Sequence, residues 1–254
     1  MGVPGAAAVG DTIGGPLSLA FLHPSRALAL GVGKDGGVVA MSWRDAAHPQ
    51  QTSIAPRLGV PEQVVFAAGA DRALLVSRAG IELWAGATSI YAYGADALGG
   101  APVNAALSED GSLAAVVLDS GRVIEVSEAG VRGIGEGRSV VYAPDLFVAT
   151  SDGELSRGGN VVASGLGPDI ELSTIGGFVV ALGSKSGVSL IDASTGQLTR
   201  VDCGACKPSH AQALQTPGIL YFEDEERGGL LLDVSSGGPP RIVPLAGIDG
   251  RRNQ

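Results

Sequence analysis

Short apolar runs separated by glycine-containing turns follow one another along the chain from residue 15 to residue 247. The stretch Asn104–Val126 shows the repeating unit most clearly, because Asp110-Gly111 supplies the positive-φ positions of a tight hairpin. Leu113–Leu118 is apolar throughout, as in a strand covered on both faces, and Val123–Val126 alternates like a half-exposed strand. Neither run has the period of a helix. The pattern predicts an antiparallel β-meander.

The outline of this unit recurs with a period of roughly forty residues, which is typical of propeller blades. Six apolar residues end the successive first strands: Phe21, Phe66, Leu107, Tyr142, Leu172 and Leu214. A β-sandwich or barrel also has short strands and glycine turns, but it has no reason to repeat one unit six times. We therefore predict a single all-β domain, a six-bladed β-propeller of three- to four-stranded antiparallel meander blades. The predicted blades are residues 15–60, 61–101, 102–136, 137–167, 168–207 and 208–247.

Two parts of the chain depart from the repeat. The fourth blade has a poor third strand, since Glu154–Gly158 carries polar residues and glycine where other blades carry an apolar run. Residues 1–14 precede the first blade and are either a strand that closes the ring beside the last blade or an N-terminal arm. Residues 248–254 are predicted to be a tail.

The composition excludes several classes of protein. Apolar residues make up 45% of the 254 residues and charged residues 17%, a balance that disordered chains do not have. The formal net charge of −9 argues against a nucleic-acid surface, because phosphate binding requires clustered Lys and Arg. No apolar run approaches the ~20 residues of a membrane span. Met1–Pro4 lacks the basic and apolar regions of a signal peptide.

Three stretches resemble known propeller families. The turn Ser108–Ser112, with the sequence Ser-Glu-Asp-Gly-Ser, and its flanking strands resemble the blades of WD40-like, NHL and YVTN-type propellers. Gly2–Ala7 followed by Gly10, together with the late run Val201–Cys206, resembles a group of exported bacterial propeller proteins without an assigned activity. The resemblance implies a six- to seven-bladed propeller in an extracytoplasmic location, either periplasmic or secreted.

Cys203 and Cys206 form a Cys-Gly-Ala-Cys motif between the fifth and sixth blades. A redox motif needs its first cysteine at a helix N-terminus, whereas this pair follows a strand and precedes Pro208. Haem attachment needs a histidine directly after the motif, where Lys207 stands. The remaining hypotheses are a local disulfide, which we favour, a zinc site that includes His210, and a pair of free thiols.

Other residues give little indication of chemistry. His23 and His48 lie in predicted turns, where we expect solvated side chains rather than catalysts. Trp43 and Trp84 end the third strands of neighbouring blades, which predicts a role in packing between blades. Glu223–Glu226 lacks the spaced ligands of a calcium loop and is expected to be a solvated turn. We predict no catalytic residue, no metal and no cofactor.

Polar residues recur three positions before the end of most predicted first strands. These positions are Ser18, Gln63, Asn104, Ser139, Asp169 and Ala211, with His210 beside the last. Because first strands line the central channel of a propeller, we expect the positions to form one ring. Either ordered water or a ligand would then satisfy the ring. In the second case Asn104, Asp169 and His210 would bind the ligand directly, with Gln63 and Ser139 in support.

The lack of a convergent acid, base or nucleophile set favours a non-catalytic binding or scaffold protein. We predict a monomer that contacts an unknown protein or small-molecule partner at one face of the propeller. The alternative is a metal-dependent hydrolase of the propeller lactonase kind, which holds a cation with inner-strand carboxylates and amides. A quinone-dependent oxidoreductase is less well supported, because its site would use stacking Trp and several channel Arg residues.

Overall fold

The computed structural model of the chain describes residues 17–23, 26, 28–42, 50–183, 187–214, 216–235 and 237–245. The strands in these ranges form six four-stranded antiparallel sheets, and each sheet takes its strands in chain order. The six-bladed β-propeller predicted from the sequence is thereby confirmed. The one helix of the described ranges, α1 at Ala95–Leu98, is a single turn. No helix in this part of the chain has the length and apolar character needed to cross a membrane.

The first three blades contain the strands β1 to β12. Blade 1 consists of β1 Leu17–Leu22, β2 Leu28–Gly33, β3 Val38–Ser42 and β4 Gln50–Ile54. Blade 2 consists of β5 Gln63–Phe66, β6 Arg72–Ser77, β7 Gly80–Ala85 and β8 Thr88–Gly94. Blade 3 consists of β9 Pro102–Leu107, β10 Ala114–Leu118, β11 Arg122–Ser127 and β12 Gly130–Glu136.

The last three blades contain the strands β13 to β24. Blade 4 consists of β13 Ser139–Ala143, β14 Asp145–Ala149, β15 Leu155–Arg157 and β16 Asn160–Ala163. Blade 5 consists of β17 Ile170–Ile175, β18 Phe178–Gly183, β19 Gly187–Asp192 and β20 Leu198–Val201. Blade 6 consists of β21 Pro208–Ala213, β22 Ile219–Asp224, β23 Gly228–Asp233 and β24 Arg241–Pro244.

The first strands of blades 2 to 6 lie against one another, β5 against β9, β9 against β13, β13 against β17 and β17 against β21. These strands therefore line the centre of the ring. We call the end of the ring where the first strands begin the upper face, and the end where they finish the lower face. Because the strands are antiparallel, turns between second and third strands lie at the upper face. Turns between first and second strands lie at the lower face.

Apolar side chains pack between successive blades. Five clusters join blade 1 to 2, 2 to 3, 3 to 4, 4 to 5 and 5 to 6. Within the described ranges no such cluster joins blade 6 to blade 1, and Leu22 and Val243 in these two blades are 48% and 45% exposed. The predicted roles of residues 1–14 and 248–254 fall on residues outside those ranges.

The weak third-strand pattern of blade 4 corresponds to β15, which has only three residues but is paired on both sides. Leu155 pairs with Ala149 on one side and with Ala163 on the other, and it is fully buried. The strand is short, so one buried side chain among polar neighbours is enough to fix it against blade 5. Blade 4 thus has the same four strands as the others.

The Ser-Glu-Asp-Gly-Ser turn owes its shape to Asp110. Its carboxylate accepts hydrogen bonds from the backbone N–H of Ser112 and from the hydroxyls of Ser108 and Ser112 at 2.8–3.0 Å. These bonds, the backbone one first, lower the pKa of Asp110 to about 2. The next residue, Gly111, has a φ of 69°, which a side chain rarely adopts. The turn therefore stays in one conformation while its carboxylate remains ionised.

Candidate functional site

The register of the sheets shows which first-strand positions are equivalent. In blades 2 to 5 the third strand carries a fully buried apolar residue near its start: Ile81, Val123, Leu155 and Val188. Their partners on the second strands pair in turn with four polar first-strand residues: Gln63, Asn104, Ser139 and Glu171. Three of these four belong to the predicted polar ring, whereas Glu171 does not.

Asp169 does not occupy the position that the sequence count assigns to it. It precedes β17, and its exposed carboxylate lies 3.5 Å from the guanidinium of Arg138. The count fails because Leu172 lies three residues before the end of β17 at Ile175. In the other blades the apolar residue predicted to end the first strand, which we call the anchor residue, lies within one residue of the observed end. The equivalent position in blade 5 is therefore Glu171.

Three of these side chains, those of Asn104, Ser139 and Glu171, accept hydrogen bonds from the backbone of the next blade. The Oδ1 atom of Asn104 in blade 3 accepts a hydrogen bond of 2.9 Å from the N–H of Val140 in blade 4. The hydroxyl oxygen of Ser139 in blade 4 accepts one of 3.0 Å from the N–H of Leu172 in blade 5. These polar positions thus link neighbouring inner strands.

Glu171 makes the strongest of these bridges. Its two carboxylate oxygens accept hydrogen bonds of 2.8 Å from the backbone N–H groups of His210 and Ala211 in blade 6. His210 has a φ of 52°, unusual for a residue with a side chain, and lies where the pairing of β21 with β22 is irregular. The carboxylate therefore satisfies two N–H groups in this irregular segment.

The other predicted ring members take different positions. Ser18 lies at an irregularity of β1, and its hydroxyl donates a 3.0 Å hydrogen bond to the carbonyl of Val32 within its own blade. The His210 side chain is exposed, and its backbone alone joins the bridge from Glu171. The structure therefore brings Asn104, Ser139 and the backbone of His210 into a run of inter-blade contacts. Ser18 is not part of it, and Asp169 reaches blade 4 only through its exposed ion pair with Arg138.

Gln63, the equivalent residue of blade 2, lines a cavity of about 490 Å³ between blades 2 and 3. The cavity lies at the upper face, because it is lined by the starts of β5 and β9 and by the turns that follow β6 and β10. Its lining residues are Glu62, Gln63, Val76, Ser77, Arg78, Ala101, Pro102, Val103 and Asp119. Val103 is 58% exposed, and the carboxylate of Glu62 lies 3.8 Å from the guanidinium of Arg78. We call this space the upper cavity.

In the structure Cys203 and Cys206 are joined by a disulfide, with a Cα–Cα distance of 5.5 Å. The loop that holds them lies at the upper face between β20 and β21. Arg227 fastens it by donating from its guanidinium to the carbonyls of Cys203 and Gly204. Cys206 itself is buried in the cluster between blades 5 and 6. The disulfide thus stiffens a loop that joins two blades.

The acidic turn Glu223–Glu226 contributes one buried carboxylate to the same region. Asp224 accepts hydrogen bonds from the backbone N–H groups of Lys207, Glu226 and Arg227 at 2.6–3.1 Å. Burial of Asp224 acts to raise its pKa, but these hydrogen bonds outweigh it and lower the pKa. Asp224 is therefore a structural acceptor for the loop, rather than the solvated residue expected from the sequence.

His23 is fully buried, so its prediction as a solvated turn residue is wrong. Its Nε2 atom lies 2.9 Å from the carbonyl oxygen of Ala67, and its ring packs against Phe66 of blade 2. Burial lowers the pKa of His23.

Trp84 packs in the cluster that joins blades 1 and 2, as predicted. His48 and Trp43 lie outside the described residues.

No family model and no curated protein match this sequence. Among solved structures, the chain is similar to PorZ, an essential bacterial surface component of the type-IX secretion system of Porphyromonas gingivalis. That similarity has a TM-score of 0.64 at 13% identity and covers 91% of this chain but only 33% of the PorZ chain. The RRP9 WD40 repeats give a TM-score of 0.63 at 13% identity, with 93% and 83% of the two chains covered. Such likeness shows the fold alone, that of a WD40-like β-propeller.

Proposed function

We propose that the protein is a non-catalytic scaffold that binds a partner protein at the upper face of the propeller. The observation that carries this proposal is that three of the four equivalent inner-strand polar side chains, those of Asn104, Ser139 and Glu171, are engaged in bridges between blades. A propeller hydrolase would need such side chains free to hold a cation or activate water. Because these side chains are used in bonds between blades, they are not available for catalysis, and a binding role at the exposed upper face is the better fit.

The upper cavity is the docking point that this proposal favours. Glu62 and Asp119 outnumber Arg78 at its rim, and Arg78 lies beside Glu62, so the rim carries a net negative charge. Val103 adds an exposed apolar side chain. We therefore propose an extended partner segment that places a Lys or Arg near Asp119 and an apolar residue on Val103.

We further propose that the protein is a monomer in an extracytoplasmic compartment. The Cys203–Cys206 disulfide supports this location, because such bonds persist in oxidising compartments. The resemblance of Gly2–Ala7 and Val201–Cys206 to exported bacterial propellers supports it as well.

The metal-dependent hydrolase has no specific observation in its favour. Three or more His, Cys, Asp or Glu side chains grouped to hold a metal do not occur in the described part of the chain. Asp169, which the sequence suggested as a ligand-binding residue, lies beside Arg138 instead.

Site-specific photo-crosslinking tests the docking point in the native host. A photoreactive benzoylphenylalanine replaces Val103 at the upper cavity or, as a control, Val161 on the outer strand of blade 4, which is 57% exposed. We expect one discrete protein adduct from position 103 and none from position 161. Asp119→Lys should abolish the adduct, because it places a positive charge against the Lys or Arg proposed for the partner. Equal adducts from both positions, or insensitivity to Asp119→Lys, would contradict the proposal.

A separate prediction concerns the oxidising compartment that the disulfide supports. Protein alkylated in its native cells, then denatured without reductant, should show no free thiol at Cys203 or Cys206. Intact mass after alkylation, with and without prior reduction, measures this directly. Two modified thiols in the unreduced sample would exclude both the disulfide and the oxidising compartment.

A further inference from the structure

The outer strand of blade 1, β4, presents an open sheet edge. In the described ranges Gln50–Ile54 pairs only with β3, and its first four residues are exposed. The backbone N–H and C=O groups on its outer side therefore have no partner strand in this part of the chain. Such groups form a template with which an extended segment of another protein can pair.

The outer strands of the other blades have features that discourage this kind of pairing. The register of β8, β12 and β16 against the neighbouring strand is irregular. Arg200 lies on the exposed part of β20, and β24 contains both Arg241 and Pro244. In contrast, β4 carries no charged residue, no glycine and no proline, and it pairs with β3 in regular register along its whole length. It is therefore the edge best suited to accept a strand.

A cavity of about 450 Å³ between blades 1 and 2 reaches this edge. On blade 1 its lining extends from Leu30 on β2 across Ala40 on β3 to Thr52 and Ile54 on β4. Thr52 is exposed, so the cavity ends beside the outer edge of the blade. Its volume falls within the ~300–1,000 Å³ of small-molecule pockets, which leaves room for one bulky side chain. We call this space the lower cavity, because its lining includes the end of β5 and the start of β6, at the lower face.

The walls of the lower cavity are mostly apolar and are already packed in place. Leu30, Ile54 and Trp84 belong to the buried cluster that joins blades 1 and 2, and Phe66 packs against that cluster. A side chain that enters the lower cavity therefore meets a preformed apolar surface, and little free energy is lost in ordering the walls.

The charged residues of the lining do not offer a site for an ion. Arg26 and Asp71 form an ion pair with each other. Arg72 donates a 3.2 Å hydrogen bond to the carbonyl of Gly111, so its side chain faces blade 3. The lower cavity is thus complementary to a neutral apolar side chain, whereas the rim of the upper cavity carries a net negative charge.

We propose that β4 and the lower cavity together bind an extended, uncharged segment of a partner protein. The segment adds a strand to the four of blade 1 by pairing with β4, and one bulky apolar side chain of the segment enters the lower cavity. Because side chains alternate between the two faces of a sheet, a residue paired with Thr52 points to the same face as Thr52 and Ile54. Backbone hydrogen bonds supply affinity, and the lower cavity selects the side chain. This surface is distinct from the upper cavity and does not depend on the partner proposed there.

A displayed library of short random peptides provides the probes that test this proposal. Peptides are selected on the purified full chain, and those that still bind Thr52→Lys are removed. Thr52→Lys places a charge at the open edge and beside the lower cavity, and because Thr52 is exposed the fold should remain intact. We expect the remaining peptides to be uncharged around one shared aromatic or large aliphatic residue.

The tightest-binding peptide is then synthesised and titrated by fluorescence polarisation. Thr52→Lys, or replacement of the shared apolar residue of the peptide by Lys, should weaken binding by about tenfold or more, the value of one buried apolar side chain. The matched control, Thr199→Lys, makes the same change on the exposed outer strand of blade 5 and should leave the affinity unchanged. Asp119→Lys should also leave it unchanged, which separates this surface from the upper cavity.

Hydrogen exchange of the β4 amides shows whether the peptide pairs as a strand. Peptide binding should newly protect alternate amides of Gln50–Ile54. The proposal would be overturned by failure to obtain peptides that Thr52→Lys excludes, by selected peptides without a shared apolar residue, by unchanged exchange in β4, or by loss of binding in Thr199→Lys. A wild-type dimer that Thr52→Lys converts to a monomer in sedimentation would place a second copy on β4 and would overturn it as well.

Discussion

Replacing Phe147 with alanine lowers the free energy of unfolding by about 3–5 kcal/mol, the usual cost of removing a fully buried phenylalanine. Phe147 lies on β14 and belongs to the cluster that joins blades 4 and 5. The sequence gives blade 4 the weakest strand pattern of the six blades. A loss of this size would show that blade 4 nevertheless contributes a fully packed face to the ring. Denaturant unfolding followed by circular dichroism measures it.

Val161→Ala is the matched control for Phe147→Ala, since Val161 lies on β16 of the same blade and is 57% exposed. Its loss should stay within about 0.5 kcal/mol, as for most surface substitutions. A loss under about 1 kcal/mol for Phe147→Ala would contradict the packing of blade 4 against blade 5.

Glu171→Ala should cost about 1–3 kcal/mol, because it leaves two backbone N–H groups without their charged acceptor. These groups belong to His210 and Ala211, each 2.8 Å from a carboxylate oxygen. Glu171→Gln keeps one acceptor oxygen and should lose about half as much. The same denaturant titrations give both values.

Asp169→Ala is the matched control for Glu171→Ala, two residues away along the chain. The carboxylate of Asp169 is more than half exposed, and its contact with Arg138 spans 3.5 Å. An exposed ion pair contributes little, so this variant should lose at most about 0.5 kcal/mol. If Asp169→Ala cost as much as Glu171→Ala, the assignment from the strand register would be wrong.

The sequence was sufficient to predict the number of blades and the order of their strands. Each blade is a local meander, so its apolar runs and glycine turns lie in one continuous stretch of sequence, as in Asn104–Val126. In the described ranges each strand pairs only within its own blade, so no strand pairing between blades had to be predicted. In blade 4 the third-strand pattern was weak because Leu155 is the single apolar residue of β15, and it is buried in the cluster that joins blades 4 and 5.

The polar ring shows why the candidate site was only partly predictable. Counting three residues back from the anchor residue gives the correct position only where that residue lies at the end of its strand. Leu172 lies three residues before the end of β17. A charged residue between two buried apolar residues, as Glu171 is between Ile170 and Leu172, was the local signal for an inward carboxylate. The partner atoms belong to the next blade, so the sequence could not show that these side chains bridge strands.

The upper cavity and the burial of His23 depend on contacts between blades in the same way. His23 directly follows the first strand of blade 1, in a stretch that has the composition of an exposed turn. It is buried because Phe66 and Ala67 of blade 2 cover it. Arg72 likewise lies at the start of an ordinary strand, and its hydrogen bond to the Gly111 carbonyl depends on blade 3.

Hydrogen exchange of individual backbone amides, followed by nuclear magnetic resonance, tests most directly whether the inner polar residues bridge the blades. Asn104→Ala should reduce the protection of the Val140 amide, and Ser139→Ala that of the Leu172 amide, each by about tenfold or more. Each variant should leave the amide matched to the other variant unchanged. Wild-type protection of Val140 in Asn104→Ala and of Leu172 in Ser139→Ala would contradict the account, because these side chains would then be free to serve a ligand.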